Sequence, residues 1–270
     1  MTNDEFEGLA LDLLEATMNI AAQQKISADQ LIREHQLLVE AFEKGEDVPR
    51  YESKAACIAY AFRYGIQTAF EAWSVLKKGP INSKIGNITI LGGGCCFELA
   101  VLVHFLKEGH KELHVKVIEP VAHWKIFQPM LVRYAEREGV RLHLDFVPVI
   151  DLLEQIDSYK TDLLVSFNGL TELSFGERKA LRIAYATCNR HIIWHSSLSV
   201  MQDVFCASFI PRREVEKFPF ESELSEFLEG RFPGLAKLNV FANLGQKGFY
   251  LMHNLVQPRH VNASHWASRS

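Results

Sequence analysis

Along residues 1–80 the apolar positions recur at helical spacing. Leu9, Leu11, Leu13, Leu14, Met18 and Ile20 form the apolar face of a first helix. Ser27 precedes Ala28-Asp29-Gln30, which reads as an N-cap with Gln at the third helical position. The second helix runs through Leu31, Ile32, Leu37, Leu38, Val39 and Phe42 and stops near Gly45, with Pro49 beyond it. A third, longer helix starts near Ser53. Its stripe is Ile58, Phe62, Ile66, Phe70 and Trp73, and its other face carries Tyr60, Arg63, Tyr64 and Gln67. Gly79-Pro80 ends it.

From residue 87 the period changes. Short β-branched or leucine-rich runs alternate with helical stretches. Strands are expected at 87–91, 114–120, 141–147, 162–167 and 191–195. Helices are expected at about 97–107, at 122–138 with a kink at Pro129, over a short piece at 152–156, and at 174–188. This alternation implies a parallel, doubly wound sheet. Residues 237–244 and 249–256 read as two further strands separated by Gly245-Gln246-Lys247-Gly248, and so short a link permits only an antiparallel hairpin.

The expected fold is therefore α/β: a doubly wound, mostly parallel seven-stranded sheet with a C-terminal antiparallel hairpin, preceded by an all-helical segment. The partition is 1–80 for the helical cap, 81–256 for the core and 257–270 for a tail without acids or periodicity.

Composition changes this picture little. Of 270 residues, 48% are apolar and 23% charged, as in an ordinary globular protein. The formal net charge is −4, which argues against bulk-charge binding of nucleic acid. The charge is uneven. Residues 1–50 hold eleven acids and four bases, and the remaining chain holds 22 acids and 25 bases. The acidic first fifty residues are a candidate surface for dimerisation or a partner. Asp4, Glu5 and Glu7 stand where a secretory leader carries positive charge. No stretch reaches the ~18 apolar residues of a membrane span. Five cysteines without framework spacing fit reduced thiols, and the expected compartment is the cytoplasm.

The stretch richest in chemistry is Ile88-Thr89-Ile90-Leu91-Gly92-Gly93-Gly94-Cys95-Cys96-Phe97. Glycines between a buried strand and a helix let a ligand approach the backbone closely, at the positive end of the helix dipole. Three glycines alone also make a plain tight turn. Glu119, 25 residues after Gly94 at the tip of the second strand, tips the reading toward a nucleoside-bearing cofactor, because its carboxylate can accept ribose hydroxyls. A dinucleotide fingerprint needs a third glycine where Phe97 stands. S-adenosylmethionine carries no phosphate and tolerates another residue there.

Residues 87–256 resemble the class I, Rossmann-like S-adenosylmethionine-dependent methyltransferases. That family's glycine pattern falls on Gly92, Gly94 and Cys96, and its second-motif acid on Glu119. The chain departs from the pattern at Cys96, and at Ile90, where the family has an acid that contacts the methionine amino group. The run from Asp162 to Leu173 resembles the strand-four motif, whose residues after the strand face the methyl group. The lead-in Tyr51–Tyr60 is also weakly similar to methyltransferase-like proteins of the small ribosomal subunit, without that group's metal-cluster cysteines.

The resemblance implies S-adenosylmethionine as cofactor, held at Gly92, Gly93, Gly94, Glu119 and Asn168, and methyl transfer to a small-molecule acceptor. Asn168, His195 and Tyr60 are the candidate catalytic residues: Asn168 to orient an acceptor, His195 as a base, Tyr60 to cover the site. Each has a plainer role, as a turn residue, a structural histidine and a packing ring. Two other functions stay open: a methyltransferase fold that only binds, and an NAD(P)-dependent oxidoreductase. His104, His110 and His114 are the nearest thing to a metal cluster, but they are divided among a helix, a turn and a strand, so no metal is expected.

Overall fold

A computed structural model of the chain describes residues 1–44, 51–77, 84–148, 161–167, 191–195, 212–213 and 249–254. The first helix, α1 (Asn3–Gln23), opens with a capping box: the Glu5 amide donates to Thr2 Oγ1 at 3.2 Å, and the Thr2 amide donates to Glu5 Oε2 at 2.5 Å. Helix α2 (Ala28–Lys44) opens with the expected Ser27/Gln30 pair.

The long helix expected from Ser53 is interrupted. Ser53 caps α3 (Lys54–Tyr60) by accepting the Ala56 amide at 3.0 Å. A single π-helical turn (Ala61–Gly65) follows, and then α4 (Ile66–Leu76). Ile58, Phe62, Ile66, Phe70 and Trp73 are all buried, as their spacing predicts. The π turn ends at Gly65. A Cβ there would lie 2.7 Å from Phe97 Cδ2 and 2.9 Å from Cys95 Sγ, so the helix presses its backbone against the start of the next one. Helix α1 joins this layer through Phe6, which stacks on Trp73 at 5.0 Å.

The sheet begins with β1 (Asn87–Leu91), followed by α5 (Phe97–Leu106), β2 (Glu112–Ile118), a 3₁₀ segment (Ala122–Phe127), α6 (Gln128–Arg137), β3 (Arg141–Val147) and β4 (Leu163–Phe167). Strands β3, β2, β1 and β4 lie in that order, all parallel. Helices α5 and α6 connect β1 to β2 and β2 to β3, and pack against each other. The helices expected at 152–156 and 174–188 lie outside the described residues. β5 (His191–His195) pairs parallel to β4. Residues Phe249–Asn254 pair antiparallel to β5, and Arg212–Arg213 pair with them in turn. The other arm of the expected hairpin, 237–244, lies outside the described residues.

One expectation needs correction. Pro129 does not kink a helix. It sits in the first turn of α6, where its missing N–H is harmless, and the segment before it is 3₁₀. Strands β2 and β3 leave one face exposed. β1 and β4 are buried nearly throughout, but β2 and β3 alternate: Leu113, Val115, Leu142 and Leu144 face the core, while Glu112, His114, Arg141 and His143 are exposed. Asp162 fixes the start of β1, since its Oδ2 accepts the amides of Gly86 and Asn87 at 2.9 and 2.8 Å. Ser166 Oγ donates to the Leu91 carbonyl at the other end of the strand.

Candidate functional site

The glycine turn continues the sheet for one more bond before leaving it. The Gly92 amide donates to the Ile118 carbonyl at 2.9 Å, with Gly92 at φ 60°. Gly93 is required by space. A Cβ there would meet Cys96 Sγ at 2.6 Å and Val117 Cγ1 at 2.9 Å. Gly94 returns to positive φ, at 50°. Cys96, in the place of the family's third glycine, also adopts the left-handed conformation at φ 56° and stands just before α5. Cys57, Cys95 and Cys96 are buried free thiols, and burial raises the pKa of each.

Glu119 meets the turn directly. The Gly94 amide donates to its Oε2 and the Val121 amide to its Oε1, both at 3.1 Å. The side chain is 4% exposed. Burial raises its pKa to about 7, against the opposing pull of the two amides. A carboxylate offers about four acceptor positions, and these two bonds use two of them.

Aromatic rings close over Gly94. A Cβ on it would be 3.7 Å from both Tyr60 Cε1 and Trp124 Cζ2. Tyr51, Tyr60 and Trp124 form one cluster, with ring centroids 4.9 to 5.3 Å apart. Tyr64 extends it at 4.9 Å from Tyr60. Trp124 is 1% exposed, and its indole Nε1 has no hydrogen-bond partner among the described residues. Ile90, where the family has an acid, is fully buried in the core.

Of the residues singled out by sequence, the structure thus brings Tyr60, Gly92, Gly93, Gly94 and Glu119 together. His195 ends β5 with its backbone opposite Tyr250, on the same carboxyl edge of the parallel strands. Asn168, one residue past β4, lies outside the described residues. The trio His104, His110 and His114 is dispersed. His104 sits beside Lys107 and Glu138, His110 Nε2 accepts the Ile85 amide, and His114 stacks on His143.

Sequence reading missed Trp124 and Tyr51 as ring neighbours of the turn. A tryptophan five residues after the acid was the available signal. It also missed Glu98, buried at the start of α5, whose pKa burial and nearby Glu71 raise to about 8. A cavity of about 660 Å³ lies elsewhere, between α1 and α6, lined by Asp12, Asn19, Met130, Arg133 and Tyr134 among others. None of the glycine-turn residues lines it.

No family profile matches the chain, and no curated protein matches it in sequence. Solved structures do match in shape. An O-methyltransferase family protein from Burkholderia thailandensis aligns with TM-score 0.50 at 10% identity, over 84% of this chain and 72% of that one. A putative O-methyltransferase from Klebsiella pneumoniae aligns with TM-score 0.41 at 12% identity, over 83% and 87%. The mitomycin 7-O-methyltransferase aligns with TM-score 0.40 at 12% identity, over 92% and 68%. At such identity the likeness speaks for architecture alone, and with the strand order, the glycine turn and the acid beside it the conclusion is that the chain has the class I, Rossmann-like methyltransferase fold.

Proposed function

We propose that the protein is an S-adenosylmethionine-dependent methyltransferase. One observation carries this reading: the Glu119 carboxylate is held against the Gly94 amide, and among the described residues half of its acceptor positions have no partner. The position is the point where strand order reverses between β1 and β4, where open α/β sheets bind their ligands. When bound, the cofactor supplies an electrophilic methyl group on a sulfonium. The chain's own residues hold and orient. Glu119 accepts ribose hydroxyls on its free lone pairs, and the rings of Tyr60 and Trp124 flank the base. Trp124 Nε1–H, buried without a partner among the described residues, is a donor matched to a heteroatom of such a ligand. A Cβ on Gly94 would already be in van der Waals contact with both rings, so a ligand over the turn shares its space with them.

Asn168 and His195, at the carboxyl edge, are proposed to orient the acceptor and to take its proton. The name of the Burkholderia neighbour makes a small molecule with a hydroxyl group the first acceptor class to test, by fold-level analogy. The proposed partition is a helical cap at 1–80, a core at 81–256 closed by an antiparallel hairpin as a seven-stranded sheet, and a tail at 257–270. The proposed compartment is the cytoplasm, with the first helices as a self-association surface. No described helix is long and apolar enough to cross a membrane.

Calorimetry with S-adenosylmethionine and S-adenosylhomocysteine tests the reading. Binding that weakens in Glu119→Ala is expected, and the absence of binding by either compound to folded protein overturns it. One observation favours a second reading. Ile90 gives no carboxylate to the methionine end of the cofactor, so the fold is then one that binds without transferring. Binding without turnover across hydroxyl, amine and thiol acceptors supports this second reading, and turnover with any of them removes it.

A further inference from the structure

The exposed face of β2 and β3 gathers three side chains, one of them about thirty residues from the other two in sequence. Parallel register sets His114 directly beside His143, and Glu112 lies two residues before His114 on the same face. The two imidazoles stack with centroids 4.5 Å apart and planes 7° from parallel. Glu112 Oε1 lies 2.6 Å from His143 Nε2 and 3.9 Å from His114 Nε2. One ligand atom from each residue falls within a sphere of mutual distances no greater than 4.8 Å.

We propose that Glu112, His114 and His143 form a binding site for a divalent transition-metal ion of the zinc class. Zinc bonds of ~2.0–2.1 Å in tetrahedral geometry set ligand atoms ~3.3 Å apart. The observed separations of 2.6 and 3.9 Å fall on either side of that value, and binding requires the stacked imidazoles to tilt out of their parallel arrangement so that both lone pairs point at one ion. Two neutral imidazoles and one carboxylate suit zinc, copper or nickel, whereas magnesium and calcium prefer all-oxygen sets. All three residues are exposed, which leaves a coordination position open to water. Arg141, opposite Glu112 in the register, opposes the cation, and exposed Asp145 on the same face favours it.

Glu112 opens β2, whereas the glycine turn follows β1 at the far end of the parallel strands. His114 is four residues from the end of β2, or ~13 Å at ~3.3 Å per residue. The site is therefore separate from the proposed cofactor crevice. Its effect is to clamp β2 to β3, neighbouring strands joined here on their exposed face.

The test uses the full chain without a histidine tag. Zn²⁺ titrated by calorimetry near pH 7.5 should give one binding event and raise the Tm, because the ion binds the folded state. Loss of an outer partner of a metal ligand alone costs about tenfold in affinity. His114→Ala and His143→Ala should each cost at least that, and the double variant should lose the Tm rise. Mg²⁺ should produce neither effect. Co²⁺ should give visible ligand-field bands without a thiolate charge-transfer band. An unchanged isotherm in the double variant, a thiolate band, or no heat from wild type at 0.1 mM Zn²⁺ (roughly the range of weak extracellular-type metal modules) overturns the proposal. The substitutions lie on exposed positions, so circular dichroism matching wild type establishes that lost binding is not lost folding.

Discussion

Replacing Glu119 by Gln should make the stability difference between variant and wild type depend on pH. The carboxyl is 4% exposed, and burial raises its pKa from 4.5 to about 7. The unfolded chain releases this proton near pH 4.5, while the folded protein keeps it until about pH 7. The group's contribution is thus fully present below the unfolded pKa and is lost as the pH rises through the folded one. At ~1.4 kcal/mol per unit, the loss comes to about 3 kcal/mol. Gln does not titrate, and its single oxygen can accept from only one of the two amides that Glu119 serves. The other is left facing an NH₂ group, at roughly 1–3 kcal/mol. At pH 5 the variant should therefore be the less stable protein by about that amount. By pH 8 the wild type should have lost about 2–3 kcal/mol relative to it, and the two curves should meet or cross. The assay is urea unfolding of both proteins at several pH values from about 5 to 8, without cofactor. Every other titrating group, Glu98 included, cancels in the difference between the two proteins. A difference that stays constant across that range would refute the burial argument for Glu119.

Other expectations follow from the same geometry. Gly93→Ala drives a methyl group into Cys96 Sγ and Val117, so it should lower stability by about 2 kcal/mol, read as a lower urea midpoint at unchanged slope; an unchanged midpoint contradicts the packing described. Asp162→Ala leaves the Gly86 and Asn87 amides without their acceptor and should cost about 2 kcal/mol, with Asp162→Asn recovering part of it in the same assay. Trp124→Ala should cost about 3–5 kcal/mol as a buried aromatic truncation. Trp124→Phe keeps a ring against Tyr51 and Tyr60 and removes an unpartnered N–H, so it should cost less than half as much in thermal unfolding; equal losses would mean that the indole N–H has a partner.

Much of this architecture is written in local pattern. The helix starts at Thr2, Ser27 and Ser53 are encoded by oxygen-bearing side chains within three residues of the amides they accept. Strands β1, β3 and β5 fall where β-branched and leucine-rich runs predict them, because a strand's burial is read from its own few residues. The glycines and Glu119 were legible for a related reason. A turn that needs positive φ and an acid at a strand tip are both properties of single positions.

Other features depend on elements distant in sequence. The π turn at Ala61–Gly65 ends where Gly65 packs against Phe97 and Cys95, thirty or more residues away. The same holds for chemistry. Spacing grouped His114 with His104 and His110, while parallel register set it against His143, 29 residues on. Trp124 and Tyr60 meet over Gly94 only because the helical lead-in docks on the carboxyl edge of the sheet. Amino-acid order along the chain thus determined the helices, the parallel strands and the glycine–acid pair, since each is a short-range consequence of local sterics and polarity. The ring cluster over the turn and the histidine pair were decided by tertiary packing, because contact between remote residues is set by register and docking.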